Sequence, residues 1–299
     1  MRIVLLCLAL LLAGCAAPQP ADTPRIAVIS AFAPELALLE SKVVDAKKQT
    51  INGVEFTTGT LQGKPVVLLL SGMSMVNASM NTQLVIDRFK VSHIVFSGIA
   101  GGVNPALKVG DVVVAQRWGE YLEAVMGREV APGRFVPPGF MPTLKKPGYG
   151  MIIPAPVGVR SAKSDKEESK FWFEVDAKMF DVARRSAETA RLERCDEEKH
   201  CLSHQPRVVV GGHGVSGQAF VDNAAFREYT FNTFAASVLD METAATAHVA
   251  YANGVPYIAF RSLSDLAGGG EGENEIGTFF KLAADNSAKV LLAFLAAWH

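Results

Sequence analysis

Four acids stand out by where they fall in the chain. Glu35 follows "RIAVIS" within "SAFAPE", Asp240 and Glu242 frame Met241 in "VLDMETAATAHVA", and Asp265 closes "FRSLSD". Each comes just after a short apolar run that reads as a buried strand. Two further runs end in the glycine turn of "SGIAGG", with Ala100 and Gly101, and in "SGQAF", with Phe220 and then Val221. Where strands alternate with helices, binding sites form outside the carboxyl ends of the strands. These positions therefore meet at one edge, bringing together carboxylates that can accept hydrogen bonds or carry a proton, an aromatic face and a glycine turn. Each residue alone has an ordinary structural role. Glu35 suits the first turn of a helix, Asp240 the end of a strand, Glu242 a cap, Asp265 a turn and Phe220 a core. Only their joint placement marks a site. The glycine spacing of "SGIAGG" does not fit the dinucleotide-binding fingerprint.

The elements that must position these residues follow from periodicity. Residues 25–30 read as a strand and Ala33 to Val44 as a helix, with Leu36, Leu39 and Val43 on one face. Residues 54–72 read as a hairpin turning at Gln62-Gly63-Lys64. Ser74 is the expected cap of a helix through Phe89. "HIVFSGIAGG" and "GDVVVAQRW" are strands. Between Trp118 and His204 lie a Pro/Gly-rich part (132–156), a charged run from Ser161 to Lys170 that reads as a solvated loop, and a helix from Asp176 to Arg191. Alternation resumes with a strand from Arg207, a helix from Asn223 to Phe234, and a strand over Ser237 to Leu239. A helix from Thr243 to Asn253, the strand "PYIAFRSLS" and a helix from Asn274 to Trp298 complete the chain. Strands alternating with helices argue for an α/β fold, and the early hairpin argues for a mixed sheet. The expectation is one domain over residues 25–299, with a long insertion around 119–204.

The 299 residues carry a net charge of −1, which gives no electrostatic reason to expect a nucleic-acid partner. The start, "MRIVLLCLALLLAGCAAPQP", has a basic residue and an apolar stretch from Ile3 to Leu12, too short to span a bilayer as a mature helix. "LAGC" resembles a bacterial lipoprotein signal, cut before Cys15, which is then lipidated. Residues 1–14 would be the signal and 15–24 a flexible tether. This places the protein on the periplasmic side, held to the membrane through a lipid anchor only. Ala16, in place of an Asp, points to the outer membrane. Cys195 and Cys201 lie close together in "RCDEEKHCLSH", where an oxidising compartment favours a disulfide. The alternative is a metal site with His200 or His204, for which the segment offers no further ligands at a convincing spacing. No metal or organic cofactor is expected.

Five segments, "RIAVISAFAPELALL", "SGIAGGVNPALKVGDVVVA", "SGQAFV", "VLDMETAATAHVA" and "FRSLSDLAGG", occur in this order. Together they resemble the 5′-methylthioadenosine/S-adenosylhomocysteine nucleosidases of the nucleoside phosphorylase superfamily. The resemblance covers most of residues 25–116 and 207–298. It implies a three-layer α/β/α sandwich with a mixed central sheet, nucleoside phosphorylase/hydrolase-like, and a homo-oligomer. It also implies a small-molecule purine nucleoside as ligand, cleaved to adenine and free sugar. Asp265 would protonate N7 of the leaving adenine with Ser264 orienting it, and Glu35 would activate the attacking water. Met241 and Glu242 would hold the ribose, Phe220 would stack on the purine, and Val221 would read its edge through the backbone. Ala100, Gly101 and Arg261 would complete the substrate contacts. An acid on one side of the bond and a water on the other is the logic of inverting glycosidases. An Asp near its ordinary pKa of ~4 is ionised at neutral pH, so Asp265 must be desolvated or lie near another carboxylate to act as an acid.

Two other readings belong to different classes. A purine nucleoside phosphorylase needs cations around phosphate, yet no Arg or Lys lies between Arg25 and Lys42, and Glu35 would repel phosphate by a few kcal/mol, to order of magnitude. A nucleoside-binding or storage-type protein would not need Glu35 and Asp265. Three positions depart from the resembled pattern: Ile99 stands for Ser or Thr, Gln218 for an acid, and Asp240 for Glu. The stretch from Trp118 to His204 hardly matches. In the resembled enzymes this region, partly from a neighbouring subunit, forms the pocket for the 5′ substituent.

Overall fold

The computed structural model describes residues 21–299 apart from Glu271. The signal and Cys15 lie outside the described residues. The first half runs β1 (Ala21–Ser30), α1 (Ala33–Glu40), β2 (Val44–Ile51), β3 (Val54–Leu61), β4 (Lys64–Leu70), α2 (Met75–Arg88), β5 (Phe89–Gly102), β6 (Val112–Val114) and β7 (Arg117–Glu120). The insertion contributes β8 (Ala124–Met126), β9 (Arg128–Ala131), β10 (Arg134–Val136), β11 (Ile152–Pro154), β12 (Val157–Ser161), β13 (Ser164–Lys170), β14 (Trp172–Glu174) and α3 (Ala177–Ala187). Then follow β15 (Val208–Val210), β16 (His213–Ser216), α4 (Ala224–Phe234), β17 (Ala236–Asp240), α5 (Thr243–Asn253), β18 (Tyr257–Asp265) and α6 (Ile276–Ala297).

Twelve strands form one mixed sheet in the order β14-β7-β16-β17-β5-β1-β4-β3-β2, with β18 also on β5 and β6 joining β18 to β15. β5 is parallel to β1 and β18 and antiparallel to β17. The central strands are buried on both faces, so Val28, Ile29, Val95, Phe96, Ile258 and Phe260 form a continuous apolar layer with no in–out alternation. Opposed pairs show the two faces. Ser97 pairs with Phe260 in register, and both meet α6, through Ser287 and Phe294. Gly98 pairs with Arg261, which bonds Thr243 of α5. α6, with α1 and α3 beside it, covers one face, and α2 with α5 covers the other. This is the three-layer arrangement expected.

Several local expectations need correcting. β1 begins at Ala21, pairing with Phe89, so residues 21–24 belong to the sheet and not to a tether. α1 stops at Glu40. Val43, which continued its apolar spacing, packs instead against Gly59 of β3, and the exposed, charged β2 that follows has no alternation to reveal it. Ser74 makes no side-chain cap and sits at φ 77°. The single strands expected over 110–118 and 207–214 are each split, the second at Gly211 and Gly212, both with positive φ. The charged run is not a loop. β13 pairs with β12, and it is docked on α5 by Tyr251, whose hydroxyl donates to Glu168 at 2.7 Å and whose ring carries Lys170. α3 ends at Ala187, short of Arg191. Cys195 and Cys201 form a disulfide.

Candidate active site

β1, β5, β17 and β18 end around one cleft of about 670 Å³, its open mouth included. Its walls hold Glu35, Ala100, Gly101, Phe220, Val221, Met241, Glu242, Ser264 and Asp265, all singled out in the sequence. Residues from Ala31 to Asp265 thus meet because their strands end together.

Glu35 reaches the cleft from the first turn of α1. Its Oε2 accepts the Ala31 N–H at 2.6 Å and the Phe32 N–H at 3.4 Å, while Oε1 accepts the Ile99 N–H at 2.7 Å. The helix start and the β5 end therefore share one carboxylate. Burial raises its pKa, outweighing Arg261 and the three backbone donors that lower it. Gly98 is required here, since a Cβ at that position would fall on Arg261 Nη1 and Glu35 Oε1.

Arg261 is 0% exposed and does not line the cleft. The expectation that it touches substrate is corrected, because its donors are turned to protein groups behind the wall. Nε lies 2.7 Å from Asp240 Oδ2 and 2.8 Å from Thr243 Oγ1. Nη1 donates to the Ile99 carbonyl at 3.1 Å and lies 3.7 Å from Glu35 Oε1, and Nη2 is 3.4 Å from Glu242 Oε2. The guanidinium also sits over the Phe96 ring at 4.3 Å. One buried cation thus anchors three carboxylates. Burial alone would lower its pKa, but Asp240, Glu35 and Glu242 together raise it.

Asp240 borders the cleft, but its carboxylate is turned into the wall. It accepts from the Ser216 and Thr243 hydroxyls and from the N–H groups of Glu242 and Thr243, both at 3.2 Å, which fixes the start of α5. Glu242 is the acid of the pair that faces the cleft. Its Oε1 accepts the Ser74 N–H at 2.8 Å, which accounts for the unusual backbone of Ser74. Burial pushes the Glu242 carboxyl up to about 7, with Asp240 and Glu35 adding to the rise and Arg261 and Ser74 opposing it.

Asp265 ends β18. Ser264 Oγ donates to its Oδ2 at 2.8 Å and the Ala267 N–H to its Oδ1 at 2.7 Å. Burial nevertheless raises its pKa above the ordinary carboxylate value. Gly101 permits this placement, because a Cβ there would come within 3.3 Å of Asp265 Oδ1. Phe220 projects a 58% exposed ring at the cleft, beside buried Val221.

The sequence reading missed Phe32, Met73 and Ile276, which supply apolar wall. It also missed Ser74 and Ser216, which hold Glu242 and Asp240. Ser74 follows the carboxyl end of β4, so the strand-end rule could have found it. Ile276 opens a helix after a glycine-rich loop and gives no such signal. The assembled cleft holds three buried carboxyls, Glu35, Glu242 and Asp265, each with its pKa raised by burial, together with an aromatic plate. Among the described residues no Lys or Arg lines it.

Comparison with known proteins agrees with this geometry. The family model described as the phosphorylase superfamily matches residues 25–296. A 5′-methylthioadenosine/S-adenosylhomocysteine nucleosidase of Lysinibacillus sphaericus is 30% identical over 275 residues, covering 91% of this chain and 99% of its own. The solved nucleosidase of the same kind from S. pneumoniae, bound to the transition-state inhibitor MT-ImmA, is 26% identical with a TM-score of 0.65, covering 92% of this chain and 100% of its own. Futalosine hydrolase of Helicobacter pylori is 25% identical with a TM-score of 0.66, covering 91% of this chain and 97% of its own. The chain belongs to the phosphorylase superfamily and, within it, to the 5′-methylthioadenosine/S-adenosylhomocysteine nucleosidase family.

Proposed function

We propose that the protein hydrolyses the N-glycosidic bond of an adenosine-type nucleoside, methylthioadenosine or a near relative, to adenine and free sugar. The observation that carries this reading is the pairing of Glu35 and Asp265 in one cleft whose described lining has no cation for phosphate. Breaking the bond leaves negative charge on the purine and positive charge on the sugar. Asp265, whose pKa burial raises, gives its proton to N7 and stays oriented by Ser264 and the Ala267 N–H. Glu35, anchored by three backbone N–H groups, takes a proton from water as the oxygen bonds to C1′. Glu242 accepts from the ribose hydroxyls, Met241 lies against the sugar, and Phe220 and Val221 hold the base. Arg261 touches none of these reacting atoms and fixes the carboxylates from behind. Phe32, Met73 and Ile276 favour a small apolar 5′ group such as methylthio over a charged one.

The leader supports a second element of the proposal, a lipid anchor at Cys15 on the periplasmic side of the outer membrane. Exposed apolar side chains on the insertion (Phe140 is 85% exposed) and on α2 (Val76, Met80) support assembly of like copies. The activity is tested by incubating the mature protein with methylthioadenosine, adenosine and inosine, with and without phosphate. Free methylthioribose formed at the same rate in both supports the reading. Sugar-1-phosphate would establish a phosphorylase, and binding without turnover would establish a nucleoside-binding protein.

A further inference from the structure

The disulfide between Cys195 and Cys201 lines no part of the cleft, yet the residue after it leads back to it. Leu202 donates its N–H to the Arg194 carbonyl at 2.9 Å, closing the disulfide hairpin. Its side chain is buried in a small apolar cluster apart from the main core, with Val109 and Leu282, against which Leu266 and Phe279 pack. Leu266 is the residue after Asp265. Phe279 lies one helical turn beyond Ile276, which lines the cleft. Residues 109–111 are bonded to β18 just before Asp265. Gly110 donates to the Leu263 carbonyl at 2.7 Å, and Leu263 donates to the Asp111 carbonyl at 2.9 Å. Gly110 has φ +88°, and a Cβ there would overlap Leu202 Cδ1, so this loop is shaped around the leucine. The hairpin is in turn fastened to α6. The buried Asn286 side chain accepts from Glu193 N–H at 2.8 Å and donates to Glu193 O at 2.9 Å, and Lys289 meets the Glu193 carboxylate at 3.0 Å.

We propose that Leu202, held by the Cys195–Cys201 disulfide, is a positioning residue for Asp265, a wedge between α6 and the loop at residues 109–111, and that full activity requires the disulfide to be closed. This rests on the reading of Asp265 as the general acid. Without the wedge, Leu266 and Phe279 lose their packing partner, and the end of β18 is free to admit water to Asp265. The other polar groups around that carboxyl are Ser264, Asn274 and Asp222, and they would be left in place.

The test compares wild type, wild type reduced with dithiothreitol, the Cys195→Ser/Cys201→Ser double variant, Leu202→Ala and Leu202→Met. The expected result is a fall in kcat on the order of tenfold or more for the reduced, double-Ser and Ala forms, as small misplacements of a catalytic group produce, with KM little changed. Hydration of Asp265 would also move the alkaline limb of the kcat profile to lower pH, which simple loss of folded protein would not do. Leu202→Met should restore both. If Leu202→Ala does not fold, the reduced protein and the double-Ser variant carry the test with the same readouts. Unchanged kcat and an unchanged alkaline limb on reduction and in the variants would overturn the proposal. An Asp265→Asn variant run in parallel separates the two failures, because substantial activity in that variant would overturn the acid assignment itself.

Discussion

Burial and hydrogen bonding compete at Glu242, and burial prevails, pushing its carboxyl up to about 7. A carboxyl raised in the folded state binds its proton more tightly there than in the unfolded chain. It therefore contributes stability that is full below its ordinary value of 4.5 and is lost as pH rises through about 7. Glu242→Gln removes that dependence. The variant should lose less stability than wild type between those pH values, by up to about 3 kcal/mol, with Tm against pH as the readout. Glu35 and Asp265 are shifted in the same direction, so the wild-type slope should be shallower in the variant but not absent. For catalysis, Asp265→Asn keeps the shape and removes the proton. Its kcat should fall by roughly 10² to 10⁴, the usual contribution of a positioned acid, while binding of adenine should persist. At this scale much was legible in the sequence. The two acids around Met241 could be told apart only by resemblance, and the structure gives the reason: Asp240 turns back to Ser216, Thr243 and Arg261, while Glu242 turns forward. Arg261 could not be read correctly, because a basic residue near a strand end looks the same whether it faces a ligand or the core.

Elements converge on the site through close backbone approach. Gly98 of β5 lies under both Glu35 and Arg261, and Gly98→Ala would force a methyl into two charged groups. It should lower stability by about 1–3 kcal/mol, as overpacking does, and reduce kcat sharply. Gly277→Ala in α6, where an added methyl meets nothing, is the control and should be neutral or stabilising by up to about 1 kcal/mol. Denaturant unfolding and steady-state kinetics measure both. The apolar central strands were readable because burial on both faces leaves uninterrupted runs. β2 and β13 were not, since an exposed or hairpin-borne strand of charged residues has no periodic apolar signal. α1 was overextended because Val43 continued the helical spacing while serving a contact with β3.

At the scale of the whole molecule, β1 starts at Ala21, paired with Phe89 at the start of β5, and ends at Ser30 beside the cleft. A lipid on Cys15 would tether the chain ahead of β1. The full-length protein should fractionate with membranes and Cys15→Ser should be released, and a Cys15→Ser protein that still fractionated with membranes would contradict lipid anchoring through this residue. The insertion was legible as an interruption but not as strands, because its short hairpins are mostly exposed and their partners are local. The central claim is that water, activated in a cleft whose described lining holds no Lys or Arg, attacks the sugar. Turnover of methylthioadenosine in ¹⁸O-labelled water, with phosphate present, tests this most directly. The account predicts free methylthioribose carrying one ¹⁸O at C1 when trapped before exchange, together with unlabelled adenine. Unlabelled sugar-1-phosphate would contradict it.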